Sequence, residues 1–283
     1  MIATSPARTS RTPSPNQRAL ALTGRDYLSP SAISSYQRCP LQFRFRYIDN
    51  LEPEFTSSSL VFGGSIHSAI EHHFRLLFEG RPAPSVDELV GVYDDAWTAR
   101  SDTPVRLGKS ETVETLRNLA RRMLTAFQVS ELSKLDGRLL GVEEELRGSV
   151  VPGCPDVLGR VDLLVHDHDS VQIIDFKTSR SRWSEFDVEL ASAQQLLYAE
   201  LVAPLAEALG DLRVEISWIV LTKTKSPSVE RHTLTPDAKQ VARTKLIVRR
   251  VWDAIEGGNF HPSPSAMSCS TCAFRNACRA WEG

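Results

Sequence analysis

Asp162, Asp175 and Lys177, on two short apolar runs, carry the first legible chemistry in this chain of 283 residues. In Val171-Gln172-Ile173-Ile174-Asp175-Phe176-Lys177-Thr178 a β-branched, apolar stretch breaks into charge, so acid and base sit where a buried strand emerges. Side chains alternate along a strand, which puts Asp175 and Lys177 on one face and Phe176 on the other. Gly159-Arg160-Val161-Asp162-Leu163-Leu164-Val165 reads as a second strand, and the polar stretch 166–170 suits a hairpin between the two. Asp162 then lies beside Asp175 across the ladder. Two carboxylates that close repel unless a cation sits between them, and all-oxygen ligation favours Mg²⁺ or Mn²⁺ over zinc. Lys177 is a point charge for a phosphate or an attacking water. Metal-dependent hydrolysis of a phosphodiester is the chemistry this set suits.

A second set is made of cysteines. Cys269-x-x-Cys272 followed by Cys278 is a chelating spacing, and Cys39, far upstream, is the natural fourth ligand, with Cys154 left over. The amino terminus has no apolar core segment and no run approaches a membrane span, so a reducing cytoplasm and a metal site are expected rather than disulfides. Four thiolates admit structural zinc or an iron-sulfur cluster, and spacing does not choose between them.

The elements that must position these residues follow. Residues 188–209 read as a helix with an apolar stripe at Leu190, Leu197, Leu201 and Leu205, kinked or ended by Pro204. Gln194 falls on that stripe and needs a polar partner, which Tyr198 one turn on can supply, whereas Gln195 is expected to point away. Phe62-Gly63-Gly64-Ser65-Ile66-His67 opens another helix, with His67 at the border of the apolar face formed by Ile70 and Phe74. His72 and His73 are expected at the surface. Residues 86–100 and 111–132 read as further helices, and 214–221 as a strand.

His67, Asp162 in Gly-Arg-Val-Asp, Asp175-Phe176-Lys177 and Gln194-x-x-x-Tyr198 together resemble the PD-(D/E)XK nuclease superfamily in its RecB-like, AddB-like exonuclease branch, similar to CRISPR-associated exonucleases. The segment from Ser31 to Phe45, with Cys39-Pro40, looks like the opening of that branch. The literal Pro155-Asp156 competes for the first acid, and Asp162 is preferred for its better strand pattern. Glu143, Glu144 and Glu145 include a glutamate that recurs in such enzymes, with no choice among the three. The resemblance implies Mg²⁺ or Mn²⁺ held by His67, Asp162, Asp175 and the Phe176 carbonyl, with Lys177, Gln194 and Tyr198 completing the catalytic set. It also favours a 4Fe-4S cluster on Cys39, Cys269, Cys272 and Cys278, with zinc as the alternative. The implied activity is exonucleolytic cleavage of single-stranded DNA or DNA ends in repair or recombination. The alternative is a non-catalytic or partner-dependent DNA-binding subunit of a helicase-nuclease or integration complex.

The expected fold is therefore α/β, a restriction-endonuclease-like core with a central mixed sheet flanked by helices and its two ends joined by a metal-cluster clasp. Residues 27–283 form that domain. Residues 1–26, rich in Ser, Pro and Arg, are expected to be disordered. A net charge of −2 does not advertise nucleic-acid binding, so local cations matter more. Arg180, Arg182 and Trp183 offer charge and a stacking surface for DNA, with Lys223 and Lys225 close by in the reading. No Walker loop is present, which leaves the chain without an ATPase motor of its own.

Overall fold

The hairpin expected around residues 166–170 forms the centre of a six-stranded sheet in the computed structural model, which describes residues 13–100, 103–134 and 136–283. Strand β5 (Asp156–Asp167) turns into β6 (Ser170–Ser179), and the two pair antiparallel from Asp167↔Ser170 to Leu163↔Ile174. The register stops there, one residue short of Asp162 and Asp175. Along its other edge β5 pairs antiparallel with β4 (Arg138–Gly148), and its start pairs parallel with the short β1 (Tyr27–Leu28). Beyond β6 lie β7 (Arg213–Thr222), parallel to it, and β8 (Val229–Leu234), antiparallel to β7. A parallel pair needs a crossover, and helix α7 (Glu185–Ala208) supplies it.

Helices cover both faces. On one, α4 (Ser58–Phe78), α5 (Val86–Ala99) and α6 (Val113–Val129) bury Ile66, Ile70, Phe74 and Phe127 against Ile174, Phe176, Ile219 and Leu221 of the sheet. On the other, α7 buries Leu196, Ala199 and Val202 against Ile173, Ile216 and Trp218. The mixed, helix-flanked sheet expected from the sequence is thus present. Phe176 stacks on Phe74 at 5.7 Å and meets Phe127 edge-on. That burial, worth about 1.5–3 kcal/mol, pins the backbone between Asp175 and Lys177.

The start of β5 carries a second core, where α2 (Pro30–Arg38), α3 (Pro40–Tyr47) and α8 (Ala238–Glu256) enclose Ile33, Tyr36, Phe43, Val157 and Trp252. Short helices α9 (Ala266–Ser270) and α10 (Arg275–Arg279) close the tail over Leu41, Phe45 and Phe274. Leu41 N–H donates to the His261 carbonyl and Glu54 N–H to the Ala273 carbonyl, each at 3.0 Å, so the tail is bonded directly to the amino-terminal segment. A two-stranded pair, β2 (Thr56–Ser57) with β3 (Val105–Arg106), precedes α4 and α6.

Three expectations fail. The disorder expected of residues 1–26 does not extend through that segment: Pro15–Thr23 forms helix α1, while residues 1–12 lie outside the described residues. Ser14 and Gln17 form a capping box, Pro15 occupies the first turn, Ala19 is buried, and Arg18 pairs with Glu256. Composition missed this because a few local caps and one small buried residue suffice to dock a short helix. Pro204 does not end α7, which continues to Ala208. His73 is buried among Phe74 and Phe127, its Nε2 at 2.8 Å from the Ser133 carbonyl, instead of lying at the surface.

Candidate active site

The residues of interest converge where β5 and β6 separate. Asp162 spans the first gap: its Oδ2 accepts the Phe176 backbone N–H at 2.7 Å. Past this point the two strands carry Asp162 and Asp175 without a ladder between them, leaving both carboxylates free to face α4 and α7. From α4, His67 places Nδ1 at 3.4 Å from the same Asp162 oxygen and sets its ring edge-on to Phe176.

Strand β4 decides among the three glutamates. The register that pairs Val142 with Leu163 and Glu144 with Val161 puts Glu143 opposite Asp162. Glu143 has φ of 54°, a conformation rare for a side chain of this size, which turns the strand at that point. Glu144 and Glu145 are exposed, whereas Glu143 is half-buried. Among the described residues, the ligand atoms of His67, Glu143 and Asp162 form the one group of three that lies within 4.8 Å of one another. A two-carboxylate, one-imidazole set fits a hard divalent cation, with Mn²⁺ tolerating the nitrogen best.

The electrostatics agree with that reading. Burial, then the charge of Asp175, holds the Asp162 carboxyl well above the ordinary range despite its bond to Phe176. Burial and then Asp162 push Glu143 up to about 7. Burial lowers His67, opposed by Asp175, so the imidazole is poised as a neutral ligand. A cluster that resists its own ionisation is what a cation relieves.

Asp175 serves a different partner. It is 4 % exposed, accepts Gln195 Nε2 at 2.8 Å through Oδ1, and lies 2.5 Å from Lys177 Nζ through Oδ2. Burial alone would lower Lys177, but Asp175 and then Asp162 outweigh it and raise the ammonium. Lys177, Asp162, His67 and Glu143 line one cleft of about 640 Å³ together with Arg160, Arg100 and Thr178.

The reading of α7 needs correction. Of the expected stripe Leu197 is buried and Leu201 packs against two cores, while Leu190 is 66 % and Leu205 38 % exposed, and the buried face also carries Ser192 and Gln195. Gln195, expected to point away, is buried on Asp175. Gln194 is half-buried and donates from Nε2 to the Tyr198 hydroxyl at 3.0 Å, one turn on, as its spacing implies. Tyr198 lies against Gly159, where any Cβ would fall 2.0 Å from the ring, so this glycine makes space for the phenol. Asp156, the literal Pro-Asp acid, bonds Asn16 and pairs with Arg147 instead. It stands about 20 Å from Asp162 at about 3.3 Å per strand residue.

Of the expected DNA contacts, Arg182 is 78 % exposed and pairs with Glu230 at 2.9 Å, and half-buried Trp183 packs at a tilt on Trp218 and His232. Arg180 and Lys223 line a separate cavity beside the first turn of α4, and Lys225 is exposed.

The structure does bring the four cysteines together. Cys39, at the start of α3, and Cys269, Cys272 and Cys278 from the tail line one cavity of about 230 Å³. Ser263 N–H donates to Cys39 Sγ at 3.5 Å and Ser265 N–H to Cys269 Sγ at 3.4 Å. Burial, then the neighbouring thiols, raises Cys272 and Cys278. Cys154 sits apart in the second core.

Comparison with known proteins agrees with this geometry. The family model of the PD-(D/E)XK nuclease superfamily matches residues 27–279. A crystal structure from Eubacterium rectale, provisionally named an exonuclease, is similar at a TM-score of 0.57 and 13% identity, over 100% of this chain and 94% of that one. At that identity the likeness speaks for the fold. The structure of SSO0001 aligns at a TM-score of 0.34 and 13% identity over 88% of this chain and 95% of its own. Rai1 of Scheffersomyces stipitis aligns at 0.24 and 11% over 79% and 74%. Neither score is high enough to bear on the fold. A search of curated proteins finds no match.

Proposed function

Because the chain belongs to the PD-(D/E)XK nuclease superfamily, we propose that it is a Mg²⁺- or Mn²⁺-dependent deoxyribonuclease, an exonuclease acting on single-stranded DNA or DNA ends. One observation carries this: His67, Glu143 and Asp162 present three ligand atoms within 4.8 Å in the cleft that also holds Lys177. His67, Glu143 and Asp162 would hold the metal, while Asp175, expected among its ligands, is engaged by Gln195 and Lys177. When bound there, the ion would supply Lewis-acid polarisation of the scissile phosphate and an acidified water.

The chain's own groups do the rest. Asp175 aims Lys177 into the cleft, where its ammonium neutralises charge that develops on the phosphoryl oxygens. Gln195 holds Asp175 against rotation. Gln194 and Tyr198 orient the substrate phosphate from the α7 side, and Arg160 and Arg100 at the cleft wall attract the backbone.

The four cysteines that line one cavity would hold a structural 4Fe-4S cluster, with structural zinc as the alternative. The two backbone N–H groups directed at Cys39 and Cys269 stabilise thiolate charge.

The test of substrate class compares linear with circular single-stranded DNA in Mg²⁺, Mn²⁺ and EDTA. Metal-dependent loss of the linear form with the circle untouched supports an exonuclease; equal cutting of both overturns the requirement for an end.

A further inference from the structure

Beside the metal cleft lies a second cavity, of about 340 Å³, lined by Ser58, Ser59, Phe62, Glu111, Arg180 and Lys223 along with two leucines of α6. Ser59 borders both cavities, so they are neighbours across the first turn of α4. Among the described residues neither Arg180 nor Lys223 has a carboxylate within salt-bridge distance, while Arg182 two residues on is paired with Glu230. Lys223 Nζ sits 4.8 Å from the centre of the Phe62 ring, half-buried rather than extended into solvent.

The acid that shares the cavity is already engaged: Glu111 Oε2 accepts the Ser58 hydroxyl at 2.5 Å and the Gly108 N–H at 2.8 Å. Lys223 is lowered by burial and then by the charge of Arg180, with the charge of Glu111 opposing both. Arg180 follows Lys177 by three residues, about 10 Å at about 3.3 Å per extended residue.

We propose that this cavity is a phosphate subsite that grips the DNA backbone next to the scissile phosphate, with Arg180 and Lys223 as its ligands. This rests on the nuclease reading for its substrate. Arg180 offers a planar fork and Lys223 a point charge, a pairing suited to one phosphate approached from two sides. Glu111 opposes the anion and sets an upper limit on its affinity.

The test is binding of a labelled single-stranded oligonucleotide to the full chain in EDTA, where metal-dependent cleavage is silent, followed by fluorescence anisotropy. Arg180→Ala and Lys223→Ala are each expected to weaken binding about tenfold, and Arg182→Ala less than twofold. The slope of log affinity against log salt should become shallower by about 0.7 for the lost contact. Glu111→Gln keeps an acceptor for Ser58 and Gly108 but removes the charge, and should tighten binding. Arg180→Lys should recover part of the loss, which a folding defect would not. Affinities within twofold of the unaltered chain for both alanine variants overturn the subsite. So does a cavity that takes inorganic phosphate, read as protection against thermal unfolding lost in Arg180→Ala, while the oligonucleotide binds all variants equally. Because binding is read without cleavage, a chain that never cuts DNA yet shows this pattern sinks the nuclease reading and leaves the subsite standing.

Discussion

Glu143→Gln should stabilise the metal-free protein while damaging its site. Burial and the neighbouring Asp162 lift the Glu143 carboxyl from 4.5 to about 7. At about 1.36 kcal/mol per pKa unit, keeping this group ionised in the fold costs about 3 kcal/mol. The sign follows from linkage: between those two values the folded chain binds a proton that the unfolded chain has released. Its stability therefore falls as pH rises through that window and levels off above about 7. A neutral amide of the same shape carries no such penalty, so Glu143→Gln should gain about 3 kcal/mol at pH 8.5 and less than about 1 kcal/mol at pH 5. The assay is urea unfolding in EDTA at the two pH values, with exposed Glu144→Gln and Glu145→Gln as controls, expected within about 0.5 kcal/mol of the parent. Added Mn²⁺ should invert the order, stabilising the parent more than the variant. A variant no more stable than Glu144→Gln at pH 8.5, or one whose gain does not change with pH, would refute the electrostatic reasoning.

Gly159→Ala should cost about 1–3 kcal/mol by overpacking, since the new methyl falls on the Tyr198 ring; in a double-mutant cycle Tyr198→Ala should recover most of it. Gln195→Ala removes a bond to a buried carboxylate and should cost about 1.5–3 kcal/mol, whereas half-buried Gln194→Ala should cost less; denaturant midpoints that rank them the other way contradict the assignment of the inner face. Cys272→Ser should bleach anaerobically purified protein, lower its melting temperature and weaken DNA binding together, while Cys154→Ser keeps the colour; a colourless parent, or a Cys272→Ser protein as brown and stable as the parent, counts against the cluster.

The strands that carry Asp162, Asp175 and Lys177 were legible because their signal is local. An apolar β-branched run that breaks at Asp175 and Lys177, a polar turn and a second run with Asp162 define a hairpin, and period-2 alternation then fixes which side chains share a face. Asp162 rather than Asp156 followed from the same pattern, and the structure places Asp156 at the far end of β5 with Asn16 and Arg147. Helix α7 was harder. Of the leucine stripe Leu197 is buried but Leu190 is exposed, and the first half of the sheet-facing side also carries Gln195, bonded to Asp175. Hydrophobic periodicity reads a helix badly where it borders a polar site. Choosing Glu143 among three glutamates required the β4–β5 register, which no single segment contains. His73 was misplaced for a related reason: its one polar partner, the Ser133 carbonyl, is sixty residues away in sequence.

The central claim, that Lys177 and the carboxylates around it cleave DNA, is tested most directly by turnover of end-labelled single-stranded DNA with Mn²⁺ by the unaltered chain, Lys177→Ala and Asp162→Asn. The amide introduced by Asp162→Asn keeps an oxygen for the Phe176 N–H, so both variants should remain folded by circular dichroism while turnover drops by about three orders of magnitude. Folded variants that cut as fast as the parent would mean that the chemistry lies elsewhere in the molecule.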